Sequence, residues 1–225
     1  MNVKLLSHSQ PTTEFTELGI DDAQELIAYC ARVSNPSNQL NTETSEKLIR
    51  YLVKHQHWSP LEMVSACLEI TTTRDIARQI LRHRSFSFQE FSQRYADPTK
   101  DLSFVLRAAR LQDTQNRQNS IETDNDDLAL WWDSAQQEII DLARKHYARA
   151  IELGIAKEQA RSILPEGNTV SKLYMNGTLR SWIHFIELRS ANGTQKEHRE
   201  VAQAIKEIFN QQFPTVAQAI NESYS

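Results

Sequence analysis

The sequence predicts an α+β fold that is rich in helix and contains a small antiparallel sheet. Most of the 225 residues lie in segments whose apolar side chains recur at helical spacing, whereas strand-like segments are few and short. The chain shows no internal repeat and no Pro/Gly/Ser-rich linker. We therefore expect a single domain over residues 1–225, a length that is sufficient for a substantial core.

The N-terminal elements follow from local pattern. Residues 1–6 are typical of a short strand, and Asp21 and Asp22 provide an N-terminal signal for a helix that ends at residues 35–38, where Pro36 lies. A second helix is predicted over Thr44–His55. The predicted inward positions of the first helix are Ala23, Leu26, Ile27, Cys30 and Val33.

A half-buried strand and a helix are predicted next. Apolar and polar residues alternate from Met63 to Thr71, which indicates a strand with one buried face. Thr72 and Asp75 resemble a capping box for a helix over Thr73–Arg84. From Ser85 onward we expect irregular chain.

The middle of the chain contains a polar segment between two elements. Ser103–Arg107 is a second strand candidate, and residues 107–127 form a predicted variable insertion, most of it a mobile surface loop because apolar groups are scarce. A long helix is predicted over Leu128–Leu153, with Gly154 as its stop. Its predicted inward side chains are Trp131, Trp132, Ala135, Ile139, Leu142 and Ala143.

The C-terminal part is predicted to be helical. A short helix over Lys157–Leu164 is followed by another over Thr178–Ser190. Thr194 and Glu197 form a second capping-box pattern, for a helix that extends to Phe213.

Composition excludes several classes of function. The 25 basic and 29 acidic residues give a net charge of -4, which argues against a general nucleic-acid binder. No apolar run approaches the roughly 18 residues of a membrane span, and the N-terminus resembles no signal peptide. Cys30 lies on the apolar stripe of a predicted helix and Cys67 in an alternating, strand-like run, and both are predicted core thiols. We therefore expect a cytoplasmic protein without membrane or nucleic-acid partners.

The segment Arg82–Arg94, which reads RHRSFSFQEFSQR, combines cations, hydroxyls and phenylalanines. Burial of the three phenylalanines would draw the arginines and serines inward, where each needs an anionic or hydrogen-bonding partner. Arginine forks match phosphate oxygens and stack on flat rings, so we predict a planar, phosphorylated ligand. A charged surface strip beside a local hydrophobic turn is the alternative.

Charge balance supports the ligand interpretation. Asp75, Glu90 and Asp97 are the nearby carboxylates, too few to pair every cation of the segment. A bound polyanion would balance the remainder, although ion pairs with distant carboxylates are an alternative for any single arginine.

Other kinds of site find little support. His55 and His57 lack the further ligands that a metal site needs, and we predict no metal, although His57 and Ser59 could face a ligand from a loop. The chain has no Gly-rich phosphate loop and no nucleophile elbow. Ser87 and Ser92 have no activating base in the sequence, so side-chain covalent catalysis is unsupported.

The same segment resembles the signature of the flavin-dependent thymidylate synthases, R-H-R-x-x-S-x-N-x-x-S-x-R. Six of the seven fixed positions are present, and Gln89 replaces the usual Asn. Further landmarks resemble the family in the same order over about residues 25–215. They are Ala31–Ser34, the loop His57–Glu62, Arg161 before Leu164-Pro165, and the stretch Asn176–Arg189.

The resemblance implies a homotetramer whose active sites are shared between several chains. It implies that this tetramer binds FAD and converts dUMP to dTMP, with methylenetetrahydrofolate as carbon donor and NADPH as reductant. By position, the implied cofactor-binding residues are Ser34, Ser59, Glu62, Arg82, His83, Arg84, Glu90, Thr178, Arg180 and His184. The implied dUMP-binding residues are Gln79, Arg82, Glu90, Ser92, Gln93, Arg94, Arg161 and Arg189. The implied catalytic residues are Arg189, which would polarise the pyrimidine, His57, which would lie beside flavin and folate, and Ser92.

The residues themselves agree with this implication in one respect. Carbon 5 of uracil is unreactive, and neither Cys30 nor Cys67 lies in a setting that would make it a nucleophile. A cofactor must then supply the redox chemistry, while the protein orients the reactants and supplies fixed positive charge. Two alternatives stay open: a related FAD enzyme that makes a different C5-modified dUMP, and a non-catalytic nucleotide- or RNA-binding module.

Overall fold

A four-stranded antiparallel sheet lies at the centre of the computed structural model, which describes residues 1–223. The strands are β1 (Asn2–His8), β2 (Ser65–Thr73), β3 (Ser87–Glu90) and β6 (Val170–Thr178), in the order β1-β2-β6-β3. β1 and β2 were predicted, whereas β3 and β6 were not. The α+β prediction, helix-rich with a small antiparallel sheet, is confirmed.

A separate two-stranded hairpin occupies part of the predicted loop insertion. β4 (Arg110–Gln112) pairs with β5 (Ser120–Glu122). The strand predicted over Ser103–Arg107 is wrong, because only Phe104 makes an isolated bridge, to Thr169. Segment 107–127 is thus not wholly loop.

The helices surround the sheet. None among residues 1–223 is long and apolar enough to cross a membrane. They are α1 (Thr13–Glu17), α2 (Ala23–Ala31), α3 (Ser45–Lys54), α4 (Arg74–Ile80), α5 (Pro98–Asp101), α6 (Asp126–Glu152), α7 (Lys157–Ala160), α8 (Leu179–Ser190), α9 (Lys196–Gln212) and α10 (Pro214–Ser223). Short 3₁₀ helices occur at Pro36–Asn38, Ser59–Glu62 and Arg161–Ile163.

Helix α4 is shorter than predicted. It ends at Ile80 because the backbone then tightens, with the His83 amide donating to the Ile80 carbonyl. Neither predicted capping box forms: the Thr73 hydroxyl donates to Asp75, and α9 begins after Gln195 rather than after Thr194. The residues after Ile80 therefore leave the helix stripe on which Arg74 and Arg78 lie.

One face of the sheet is the core and the other is open. Leu68 and Ile70 of β2 and Leu173 and Met175 of β6 are buried against the helices. On the same side, the Trp182 indole donates to the Ala66 carbonyl at 3.0 Å. The two predicted core thiols are only half-buried: Cys67 points to the open face of β2, and Cys30 lies on α2. Burial raises the pKa of both thiols.

Helix α6 buries a stripe that shares only Ala143 with the one predicted. Its buried residues are Gln136, Ile140, Ala143 and Tyr147. Trp131, Ile139 and Leu142 are 62%, 56% and 55% exposed, and Trp132 is also exposed. The predicted stripe is real but lies beside the buried one, so α6 presents an uncovered apolar surface. Val33, predicted inward on α2, is also exposed because that helix ends at Ala31.

Gly177 lets an aromatic ring contact the backbone of β6. A Cβ atom at this position would lie 2.4 Å from Cδ1 of Phe86, far inside van der Waals contact. The Phe86 ring lies 4.7 Å from Trp182 and 6.0 Å from Phe185, centroid to centroid. The absence of a side chain at Gly177 thus fixes the start of the segment that carries the signature.

We expect Gly177→Ala to lower the free energy of unfolding by about 1–3 kcal/mol, because the new methyl group forces the Phe86 ring to move. Urea denaturation measures this loss. Gly167→Ala is the matched control, since a Cβ atom there meets nothing within 4 Å. Equal midpoints for the two variants would contradict the packing described for Gly177.

Candidate functional site

The C-terminal ends of α4 and α8 converge on one cluster of side chains. Arg189, in the last turn of α8, donates from Nε to Nε2 of His83 at 2.8 Å. The His83 ring also lies 4.8 Å from Phe185, centroid to centroid. Burial, and then the charge of Arg189, lower the pKa of His83 to about 4. His83 is therefore a neutral hydrogen-bond acceptor near pH 7.

A second cation lies beside this pair. Burial, and then the charge of Arg82, lower the pKa of Arg189, although an arginine stays charged in proteins. Neither Arg82 nor Arg189 forms an ion pair with any residue of the described chain. Arg84, which is exposed, forms none with those residues either. The site therefore has an uncompensated positive charge.

The carboxylates nearest in sequence are engaged elsewhere. Asp75 pairs with Arg107 at 2.7 Å, and Glu90 lies 3.6 Å from Arg74. Asp97 accepts from the backbone amide of Thr99 at 2.9 Å. The expectation that these three groups could not neutralise the segment's cations is confirmed.

Gln79 joins the cluster from the last turn of α4. Its Nε2 donates to Oε1 of Gln195 at 2.8 Å, and its Oε1 lies 3.3 Å from Nδ1 of His198. His198 is completely buried, and burial followed by Arg189 and His83 lowers its pKa to about 3. Sequence reasoning missed Gln195 and His198. The available signal was a histidine on the apolar stripe of α9, three and four residues before Val201 and Ala202.

A cavity of about 160 Å³ lies on the Arg74 and Arg78 side of α4 and contains two predicted substrate residues, Gln93 and Arg161. Gln93 is buried, and Nη1 of Arg74 is buried without a hydrogen-bond partner among residues 1–223. Arg78 pairs with Glu166 at the rim. Nη1 of Arg74 has only the Glu90 carboxylate near it, at 3.6 Å, and Arg161 lies in the same cavity, so the cavity is suited to an anion.

The end of the signature segment lies near α7. The Ser171 hydroxyl donates to Glu90 at 2.7 Å, Ser92 is half-buried, and Nε of Arg94 lies 3.7 Å from a Glu158 oxygen. Arg82, Arg84 and Arg94 are exposed although the phenylalanines are half-buried, so the expectation that burial draws the arginines inward is wrong. Within the segment, β3 separates Phe88 from the exposed Ser87 and Gln89 by strand alternation, and the three arginines lie outside this strand.

A third group surrounds the start of α8. Arg180 pairs with Glu62, and the His184 ring lies 4.8 Å from Trp58, centroid to centroid. Thr178 caps α8 by accepting from the Ser181 amide. The Ser181 hydroxyl donates to the Ser85 carbonyl at 3.3 Å, which ties this group to the signature segment. Ser59 is exposed at the first residue of its 3₁₀ helix.

Ser34 and His57 lie apart from the Arg189 cluster. Ser34 lines a groove of about 530 Å³ together with Tyr51, and the Tyr51 ring is 5.8 Å from His57. Both predicted residues are exposed. Within the described chain, their observed contacts do not include Arg189 or His83.

The arrangement is suited to binding anions. Arg82 and Arg189 lie beside His83 beyond the end of α4, and Arg74 and Arg161 line the cavity. Within residues 1–223, no three His, Cys, Asp or Glu side chains are grouped as metal ligands. Ser92 accepts from the Arg94 amide and has no imidazole or carboxylate hydrogen-bonded to it in that range.

Known proteins resemble this chain over nearly its whole length. Residues 17–215 match the family model described as "Thymidylate synthase complementing protein". A "Probable flavin-dependent thymidylate synthase" of Paramecium bursaria Chlorella virus 1 is 49% identical over 98% of this chain and 99% of the relative. A "Flavin-dependent thymidylate synthase" of Synechocystis sp. is also 49% identical, over 98% and 99% of the two chains.

A solved structure has the same fold. It is the UMP/dUMP methylase PolB of Streptomyces cacaoi, bound with 5-Br UMP, with a TM-score of 0.82 and 25% identity. The match covers 99% of this chain and 94% of that chain. Together with the family model and the two relatives, the match shows that the chain belongs to the flavin-dependent thymidylate synthase family.

Proposed function

We propose that this protein converts dUMP to dTMP by reductive methylation, with methylenetetrahydrofolate as carbon donor and FAD reduced by NADPH. The observation that carries the proposal is the pair Arg82 and Arg189, two cations without carboxylate partners in the described chain, beside a neutral His83. Such a cluster favours an anionic ligand. The names of the two relatives, and that of PolB as a UMP/dUMP methylase, agree with this ligand class.

Arg189 is the residue that we assign to the pyrimidine ring. Adding a carbon at C5 of uracil builds negative charge on the ring, and a permanently charged guanidinium stabilises that charge without losing its proton. The bond to His83 holds the guanidinium in place. Because His83 is neutral, it accepts this bond and does not compete for the anion.

The remaining predicted dUMP residues would bind phosphate and sugar. Gln93 and Arg161 share the cavity beside Arg74, whose Nη1 has no hydrogen bond within residues 1–223. Arg94 and Ser92 lie at the end of the same segment. Gln79 and Glu90 complete the proposed set, and we assign Ser92 a binding and orienting role because no base activates it.

The residues present also fit a flavin dinucleotide. Arg84 is exposed and has no ion pair within the described chain, which suits a diphosphate, and Trp58 with His184 offers flat rings. We propose that His83, Arg82, Thr178, Arg180, Ser59, Glu62, Ser34 and Glu90 complete the cofactor-binding set, with His57 beside flavin and folate. When bound, the flavin supplies the hydride that completes the methyl group.

We further propose a homotetramer, as the family resemblance implies, and we assign part of its interface to α6, which presents Trp131, Ile139 and Leu142 to solvent. Large apolar side chains exposed together often mark an interface. A cytoplasmic location stays a proposal, supported by two thiols that are both free.

A related product is the second candidate, and Gln89 favours it. Gln89 replaces the usual Asn and lies exposed on β3 opposite Tyr174. An RNA-binding module is less well supported, because Phe86 and Phe88 pack against the core instead of facing a strand of bases.

We expect the purified protein to be yellow, to release FAD on denaturation, and to release tritium from [5-³H]dUMP when NADPH and methylenetetrahydrofolate are supplied. Absorption spectra and a charcoal-binding assay measure these results. Omission of the folate is the control. A colourless protein that takes up no FAD would refute the proposal, and FAD binding with a product other than dTMP would favour the second candidate.

Arg189→Ala should lower tritium release by about 100- to 1,000-fold while FAD stays bound, because the charge that stabilises the ring anion is lost. Steady-state kinetics and flavin absorbance measure both effects. The control is Arg117→Ala, an exposed residue of the turn between β4 and β5. Turnover close to that of the wild type would remove Arg189 from the catalytic residues.

Leu142→Glu should dissociate the proposed tetramer of 26.0 kDa subunits, because a charge placed in an apolar interface is strongly unfavourable. Light scattering measures the mass of the assembly. Gln137→Glu adds the same charge to an exposed α6 residue away from the apolar stripe and should leave the mass unchanged. A wild-type monomer would contradict the interface assignment.

A further inference from the structure

A buried imidazole lies directly behind the proposed substrate site and has no role in the chemistry described above. His198, the third residue of α9, is completely buried. Its ring centroid lies 5.7 Å from Phe185 and 6.4 Å from His83. Nε2 has no hydrogen-bond partner among residues 1–223, and Nδ1 lies 3.3 Å from Oε1 of Gln79. Burying an imidazole with only one of its nitrogens hydrogen-bonded is costly, so the one bond that it makes, to Gln79, calls for an explanation.

Glu197, Gln195, Gln79 and His198 are linked in this order by hydrogen bonds. The ionisation state of Glu197 fixes which atom donates in each of these bonds. Burial acts to raise the pKa of Glu197, but its hydrogen bonds and Arg107 outweigh burial and lower that pKa, so the carboxylate is ionised near pH 7. Arg107 and Arg110 lie 3.3 and 2.5 Å from its oxygens. An ionised carboxylate only accepts hydrogen bonds.

Each further bond follows from that starting point. Nε2 of Gln195 must donate to Glu197, at 3.0 Å, so Oε1 of Gln195 is the atom free to accept. It accepts from Nε2 of Gln79 at 2.8 Å. Oε1 of Gln79 therefore faces Nδ1 of His198, which must carry the proton. A chain of side chains from Glu197 to His198 thus sets the orientation of the Gln79 amide.

We propose that His198 and Gln195 are positioning residues that hold the Gln79 amide in one orientation for binding the dUMP nucleotide. The inference rests on the proposed function, in which Gln79 contacts dUMP. In this orientation, Gln79 keeps one N–H and one oxygen lone pair for the ligand. A flipped amide would exchange donor and acceptor and would misplace both.

A histidine suits this position because it donates without adding charge. Arg189 is close enough to disfavour the charged form of His198, and His83 is the other titratable neighbour. The ring therefore donates from Nδ1 while leaving the positive charge of the site to Arg82 and Arg189. Packing alone would be served by an apolar side chain, as at Val201 and Ile205 of the same stripe.

The test compares two substitutions at the same position. His198→Leu keeps an apolar side chain in the core but removes the donor, whereas His198→Asn places an amide N–H near the position of Nδ1. We expect His198→Leu to weaken [¹⁴C]dUMP binding in equilibrium dialysis about three- to tenfold, the usual loss for one hydrogen bond. The KM for dUMP should rise in parallel. His198→Asn should retain most of the wild-type affinity for dUMP.

Two further measurements separate positioning from a structural role. Flavin content and the midpoint of thermal unfolding identify a variant that fails to fold. Gln195→Leu breaks the same chain from its other side and should weaken dUMP binding similarly, with a double variant less than additive. Gln203→Leu, at an exposed residue of α9, is the matched control and should bind dUMP like the wild type.

The outcomes are distinguishable from failure of the proposed function. A wild-type protein that binds no dUMP would overturn the proposed function together with this inference. If the wild type binds dUMP and His198→Leu binds it equally well, the inference alone is overturned. It is also overturned if both His198 variants fold but bind dUMP equally weakly, since the donor would then be irrelevant. Weaker dUMP binding by His198→Leu, with recovery of affinity in His198→Asn, supports the positioning role.

Discussion

The nine-residue antiparallel pairing of β2 with β6 is the constraint on which the site depends. β2 leads directly into α4, and β6 leads directly into α8, from opposite ends of the pair. Nine strand residues span about 30 Å, whereas helices of seven and twelve residues span about 10 and 18 Å. The two helices therefore run towards each other across the strands and meet at their C-terminal ends, where His83 receives the bond from Arg189.

The placement of the carboxylates relative to the arginines is the second organising feature. The chain has a net negative charge, yet several of its carboxylates form salt bridges between segments of the fold. Asp75 and Glu197 pair with Arg107, and Glu62 pairs with Arg180. The cations of the Arg189 cluster have neutral imidazoles beside them instead. A positive site in an acidic protein thus arises from where the carboxylates are placed and not from an excess of basic residues.

Much of the fold was accessible from periodicity, and the failures have physical causes. β2 and α3 bury one face each and were predicted within a few residues. β6 alternates as well, but Gly177 occupies one of its inward positions and weakens the apolar signal. The stripe of α6 was assigned inward because hydrophobic spacing alone does not distinguish a core from an uncovered face. Arg82, His83 and Arg189 were named through the family resemblance, but their contact with one another was not predicted, and His198 was hidden within an apolar helix face.

The contact between Gly177 and Phe86 has a consequence for how such a sequence changes over time. The two positions are ninety-one residues apart, but the ring occupies the space that any side chain on Gly177 would need. An alanine at 177 costs less stability in a background where residue 86 is already smaller. The order of substitution therefore matters, and the two sites form an epistatic pair whose histories are linked although neither belongs to the proposed binding residues.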